Sequence, residues 1–214
     1  MKMPRRLGGT LLLLTCLLQP VAGSAVTVGQ VDDFENGTTQ NWAIGAAVPS
    51  PARPGLATTS CSSPPWASVR QILAVDYPYF NEAQWTGNYL AAGVNAITMS
   101  VKNLGTTDLS LRLVLAHFPV NGFPPDIMAM STMPVFLPAG RGWTSVVFPL
   151  GPGWLTAIAG TVQAALTTPG ELRIVHNQNV TWPPARVEAS LGVDNIKAER
   201  RTPLPYVQLL LLDN

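Results

Sequence analysis

The stretch Ile97-Thr98-Met99-Ser100-Val101-Lys102-Asn103-Leu104-Gly105-Thr106-Thr107-Asp108-Leu109-Ser110-Leu111-Arg112-Leu113-Val114-Leu115 decides the fold class. Apolar residues stand at every second position, first at Ile97, Met99 and Val101, then at Leu109, Leu111, Leu113 and Leu115. Period two is the signature of a strand with one buried face, and the polar, Gly-containing segment Asn103 to Asp108 between the runs predicts a β-hairpin. Working outward, Trp143-Thr144-Ser145-Val146-Val147-Phe148 follows the turn Ala139-Gly140-Arg141-Gly142, and Leu172-Arg173-Ile174-Val175 follows Pro169-Gly170; both read as strands. Pro and Gly interrupt most other stretches, so only Thr161 to Leu166 reads as a short helix. Several strands between Gly/Pro turns predict an all-β, two-sheet antiparallel sandwich with one short helix, a closed barrel being the alternative. The Pro- and Gly-rich segments Ala47 to Pro65 and Phe118 to Asp126 lie outside the sheets as loops.

Two acidic clusters bracket this sandwich: Asp32-Asp33-Phe34-Glu35-Asn36-Gly37 and Gly192-Val193-Asp194-Asn195-Ile196. If the first and last strands lie side by side, Asp33, Glu35 and Asp194 form a hard-oxygen cluster suited to calcium. Like charges gathered at a partly desolvated strand end repel, and a divalent cation reverses that interaction. The alternative is that each acid faces water separately at a strand end.

The N-terminus predicts export. Lys2, Arg5 and Arg6 precede an apolar run from Leu7 to Leu18, then Pro20 and the small residues Gly23-Ser24-Ala25, the pattern of a secretory signal cut after Ala25. The run is shorter than the roughly 20 residues of a membrane span. The predicted organisation is a signal peptide over 1–25, a β-sandwich over 26–200 and a tail over 201–214. Loss of the leader lowers thirteen Lys and Arg by three, against twelve Asp and Glu, and leaves no basic patch for nucleic acid. It also removes Cys16 and leaves Cys61 without an intramolecular partner. Charged residues are only 12% of the chain, so hydroxyl, amide and backbone groups must make much of the surface. The expected location is secreted, periplasmic or cell-surface.

Asp32-Asp33-Phe34-Glu35-Asn36-Gly37 with Trp42, then Trp85-Thr86-Gly87-Asn88-Tyr89, then Trp143-Thr144-Ser145-Val146, and last Val193-Asp194-Asn195-Ile196, resembles in its order the galactose-binding-like jelly-roll sandwich. The resemblance runs from about Val31 to Glu199. It extends to carbohydrate-binding modules and to related secreted bacterial proteins with a Pro-Glu-Pro sorting tail. It implies a structural calcium held by acids of the first and last strands, here Asp33, Glu35 and Asp194, with Asp32 replacing Asp33 if the register slips by one. The end of the chain departs from the sorting pattern: Thr202-Pro203-Leu204-Pro205 leads into a run from Val207 to Leu212 too short to span a membrane, with no basic residue after it.

A polysaccharide or other glycan partner needs flat faces for the apolar side of a sugar ring, with polar groups beside them. Tyr79, Trp85, Tyr89, Trp66 and Trp182 are the candidates, and Tyr77 to Tyr89, with Asn81, Glu82, Gln84 and Asn88 interspersed, is the richest segment. The competing assignment places Trp42, Trp85 and Trp143 in the core. Catalytic patterns are poor. His117 and His176 have no acid or Cys at ligand spacing nearby, and no nucleophile elbow, zinc-binding helix or phosphate loop occurs. The function expected is non-catalytic binding of carbohydrate or another extracellular polymer. The alternatives are a structural surface or matrix protein and a glycoside hydrolase using two carboxylates, for example Asp76 with Glu82.

Overall fold

The computed structural model describes residues 25–44, 69–73, 79–119, 124–184, 187 and 189–202. The leader up to Ser24, the Ala47 to Pro65 loop, Cys16, Cys61, Trp66, Asp76, Tyr77 and the tail from Pro203 lie outside these residues. In chain order the elements are β1 (Val31–Asp32), β2 (Ala43–Ile44), β3 (Val69–Leu73), β4 (Tyr79–Asn81), α1 (Tyr89–Ala92), β5 (Ala96–Asn103), β6 (Leu109–His117), β7 (Ile127–Ser131), β8 (Val135–Leu137), β9 (Thr144–Pro149), β10 (Leu155–Ala159), α2 (Val162–Thr167), β11 (Glu171–His176) and β12 (Ala189–Glu199).

These strands form two antiparallel sheets. A five-stranded sheet runs β1-β12-β5-β9, with β3 also on β12; a seven-stranded sheet runs β10-β7-β6-β11-β4-β2, with β8 also on β6. The alternating residues of β5 and β6 face each other across the sandwich: Ile97, Met99 and Val101 from one, Leu109, Leu111, Leu113 and Leu115 from the other, all buried in one cluster. The hairpin expected over this stretch is therefore wrong. β5 pairs with β9 and β12, whereas β6 pairs with β7, β8 and β11. Period two states that one face is buried and leaves the hydrogen-bond partner open; the segment Leu104 to Asp108 spans the roughly 10 Å between packed sheets.

The first and last strands do lie side by side, with Val31 opposite Lys197 and Asp32 opposite Ile196. β12 takes β5 along one edge and β3 followed by β1 along the other. Between those two short partners its register shifts, at Asp194 to Lys197, and Asn195 turns to φ 51°. Among the described residues, two short helices occur rather than one. α2 falls where the short helix was expected, with Thr161 as its cap, the hydroxyl accepting from the Ala164 N–H; the unexpected α1 is capped by the Asn88 side chain and closed by Gly93 at φ 72°. α1 begins at Tyr89, the last residue of the segment that the sequence marked for sugar binding.

Candidate functional site

The two adjacent acids at the end of β1, Asp32 within it and Asp33 just after it, have different surroundings. Asp32 is buried, and its Oδ2 accepts from the indole N–H of Trp42 at 2.6 Å, that of Trp85 at 2.5 Å and the amide of Gln84 at 3.0 Å. Burial pushes its carboxyl above the ordinary 3.8, and these three donors pull it part of the way back. Asp32 thus ties three segments of the core together and is unavailable to a metal. Two residues on, Phe34 is fully buried at φ 58°, a left-handed conformation that costs a non-glycine residue about 1–2 kcal/mol, and its burial offsets that cost.

Asp33 accepts from the Glu35 N–H and the Gln40 amide. Asp194, at the register shift of β12, accepts from the Asn195 N–H at 2.7 Å. Burial raises its carboxyl above the usual range, and the nearby charge of Asp33 raises it further. The structure therefore brings Asp33 and Asp194 within electrostatic reach. Glu35 does not complete a set: among the described residues, no three acidic, His or Cys side chains are grouped to hold a metal. The donors fit a calcium ion only if main-chain or amide oxygens supply the remaining ligands.

A different cluster occupies the outer face of the seven-stranded sheet. On β11, Leu172 and Ile174 point into the sandwich, which turns Glu171, Arg173 and Val175 outward. Arg173 lies opposite Phe80 of β4, and its guanidinium carbon sits 5.0 Å from the Phe80 ring centre, 4.6 Å from that of Phe118 and 5.5 Å from that of Trp182. Phe118 and Trp182 are 6.3 Å apart and tilted by 56°. Glu171 pairs with Arg173 through both carboxylate oxygens. Its own carboxyl is raised by burial and by Glu82, and lowered by Arg173 and His117, so these charged groups border the patch. His117 Nδ1 lies 2.7 Å from Asp126 Oδ1 at its exposed edge, the acidic neighbour that local sequence spacing did not show.

Trp182 is held there by the loop after β11. Asn177 is buried; its side-chain amide donates to the Thr181 carbonyl and its side-chain oxygen accepts from the Asn179 N–H. The buried guanidinium of Arg112 donates to the carbonyls of Asn177, Gln178, Ser131 and Thr132 at 2.6–2.8 Å. This staples the loop to the β7–β8 turn. Val180 and Trp182 then rest on the apolar floor of Val114, Ala116, Met128, Met130 and Val175. The indole N–H of Trp182 is buried with no hydrogen-bond partner.

Of the predicted sugar-binding residues, Trp182 alone lies on this face with its side chain described. Trp85 and Tyr89 are fully buried, with the Tyr89 hydroxyl donating to the Trp85 carbonyl, so neither offers a ring face and both are corrected to core residues. The Asp32 network and the Phe34 packing pull that segment inward. Tyr79 lies on β4 at a position facing Ile174, the inward side of β11. Trp42 is core as expected, whereas Trp143 is not: it is 39% exposed. Phe80 lies within the segment Tyr77 to Tyr89 that the sequence marked; Phe118, Arg173 and Glu171 were missed because they come from separate segments, and only strand pairing brings them together.

Among solved structures, the chain is similar to the family 11 carbohydrate-binding module from Clostridium thermocellum in complex with a β-1,3-1,4-mixed-linked tetrasaccharide. The TM-score is 0.51 at 15% identity, over 82% of this chain and 97% of that one. It is also similar to the family 11 module of the cellulosomal cellulase Lic26A-Cel5E of Clostridium thermocellum, with TM-score 0.50 at 12% identity over 81% and 95%. Identities this low establish a shared jelly-roll sandwich fold. No protein-family model matches the chain, and no curated protein matches it. Among the described residues, no helix is long and apolar enough to cross a membrane.

Proposed function

We propose that this chain is an exported, non-catalytic carbohydrate-binding module whose glycan site is the outer face of the seven-stranded sheet around Trp182. One observation carries the reading: Phe80, Phe118 and Trp182, from three separate segments, converge on Arg173 beside a set of charged hydrogen-bonding groups. Arg173 covers the ring faces turned toward it, so a sugar would meet the opposite sides of Trp182 and Phe118. Glu82, Glu171 and Asp126 against Arg173 and His117 make the surroundings acidic, which favours a neutral polysaccharide over an acidic one. The solved neighbours of the same fold are carbohydrate-binding modules, one in complex with a neutral oligosaccharide. The leader over 1–25 supports export, and Asp33 and Asp194, with main-chain oxygens, would hold a structural calcium.

The reading is tested by a glycan array followed by titration of the best binder. Trp182→Ala should weaken binding by about tenfold, the loss of one stacked ring, with far-UV circular dichroism unchanged. The retained glycan should also be recovered uncleaved. An array without a binder favours the structural surface protein, for which the burial of Trp42, Trp85 and Tyr89 speaks; turnover of a bound glycan favours the hydrolase.

A further inference from the structure

We propose that the outer face of the five-stranded sheet carries a second glycan-stacking site, built on Trp143. This rests on reading the chain as a carbohydrate-binding module and adds a surface on the opposite side of the sandwich. Val101 and Met99 of β5, Val146 and Phe148 of β9, and Leu191 and Val193 of β12 point into the core. Alternation therefore turns Lys102 and Ser100, Ser145, and Gly192 and Asp194 outward, together with Trp143 just before β9. Register sets them in rows, with Gly192 opposite Lys102, and Ser145 and Asp194 on either side of Ser100.

The indole does not stand up from this face. A Cβ placed on Gly192 would come within 3.1 Å of Trp143 Cη2 and 3.5 Å of Cζ2. Gly192 lies on β12, two strand spacings or roughly 10 Å from β9. A side chain that starts beside β9 and ends over β12 must lie across β5, one ring face against the sheet and the other toward solvent. Glycine inside a strand weakens it and marks the close approach of another group, here the six-membered ring of Trp143. Covering the glycine explains the inner ring face and leaves the outer one bare, since Trp143 remains 39% exposed.

A bare indole face with the hydroxyls of Ser100 and Ser145 and the Lys102 ammonium on neighbouring register positions matches a pyranose: its C–H face stacks on the indole, and its hydroxyls find both donors and acceptors at the rim. An apolar protein partner would cover those three polar side chains without pairing them. Because the Trp143 and Trp182 faces point away from each other, the module would bridge two polysaccharide chains rather than grip one twice.

The experiment follows the indole N–H resonances of the full chain by NMR against soluble mixed-linked β-glucan, xylan, galactomannan and chitin oligosaccharides, with Trp→Phe variants for assignment. The expected result is a glycan that shifts the Trp143 resonance saturably and still does so in Trp182→Ala. Trp143→Ala should weaken this second event by about tenfold. Gly192→Ala should weaken it too, by lifting the ring, while binding at Trp182 is retained in both. A glycan that binds at Trp182 while Trp143 stays unmoved, with Trp143→Ala leaving all affinities unchanged, would overturn the second site and leave the first. No shift at either face with any glycan would overturn both.

Discussion

The sandwich has two apolar clusters, and they are built on different terms. Between the sheets, Leu109, Leu111, Leu113 and Leu115 meet Ile97, Met99 and Val101 with one buried carboxylate, Asp32, tied into the edge by two indoles. On the outer face of the seven-stranded sheet, Val114, Ala116, Met128, Met130 and Val175 are capped by half-buried aromatics around an Arg–Glu pair. The first cluster leaves its few polar atoms satisfied and is closed to solvent. The second keeps a buried, unpaired indole N–H and titratable groups at its edge. Unsatisfied polarity next to aromatic surface is what a folding-only solution removes, so the contrast separates the part that makes the fold from the part available to a ligand.

The largest expected effect tests the closed cluster. Asp32→Ala strands the N–H groups of Trp42, Trp85 and Gln84 and should cost about 3–5 kcal/mol, lowering Tm by roughly 10 °C or more. The isostere Asp32→Asn adds a check on sign. Burial raises the folded-state carboxyl above its ordinary 3.8, so the folded protein holds this proton more tightly than the unfolded chain. Its contribution to stability is therefore least favourable above the raised value and improves as pH falls from there toward 3.8. Asp32→Asn should lack that improvement when melting is followed from neutral to mildly acidic pH. A pH profile identical to that of the parent would place the proton linkage elsewhere.

The same contrast explains what could be read from the chain. Alternation in Ile97–Val101 and Leu109–Leu115 identified strands and their buried faces, because burial of one face is a local, period-two property. It could not assign partners, so two strands of opposite sheets were read as a hairpin. Asp32 and Asp33 are adjacent and chemically alike; the left-handed Phe34 and the bulge at Asp194, tertiary features both, send one inward and the other out. Trp85 and Trp143 are equally aromatic in sequence, yet one is sealed by Asp32 and the other lies over a glycine on a solvent face. The Trp182 site draws on β4, the end of β6, β11 and the loop after it, which no spacing rule connects.

A smaller effect is expected from the outer cluster. Arg173→Lys keeps the charge but loses the two-pronged grip on Glu171 and much of the stacking among Phe80, Phe118 and Trp182. The expected loss is about 1–2 kcal/mol of stability. Because Arg173 seats the rings that a sugar would meet, glycan affinity should fall together with it. A Tm loss as large as that of Asp32→Ala would mean that the outer cluster is a second core rather than a surface built for a ligand.

The smallest effect concerns the place where the two sheet ends of the chain meet. Asp33 and Asp194 repel, and burial already disfavours the charge on Asp194; a cation bound there in the folded state alone would reverse both. Extracellular calcium sites bind at about 10⁻⁴ to 10⁻³ M. Calcium at tenfold above its dissociation constant adds about 1.4 kcal/mol, so Tm should rise by roughly 3–6 °C and fall back with chelator. With two carboxylates in reach among the described residues, Asp194→Ala should remove nearly all of this shift. Glu35→Ala should remove little, because Glu35 does not join the pair, and Asp126→Ala, on the opposite sheet, should remove none. Equal melting in chelator and in excess calcium would leave Asp33 and Asp194 as a repelling pair that β12 accommodates by its bulge, and the metal would have no part in the fold.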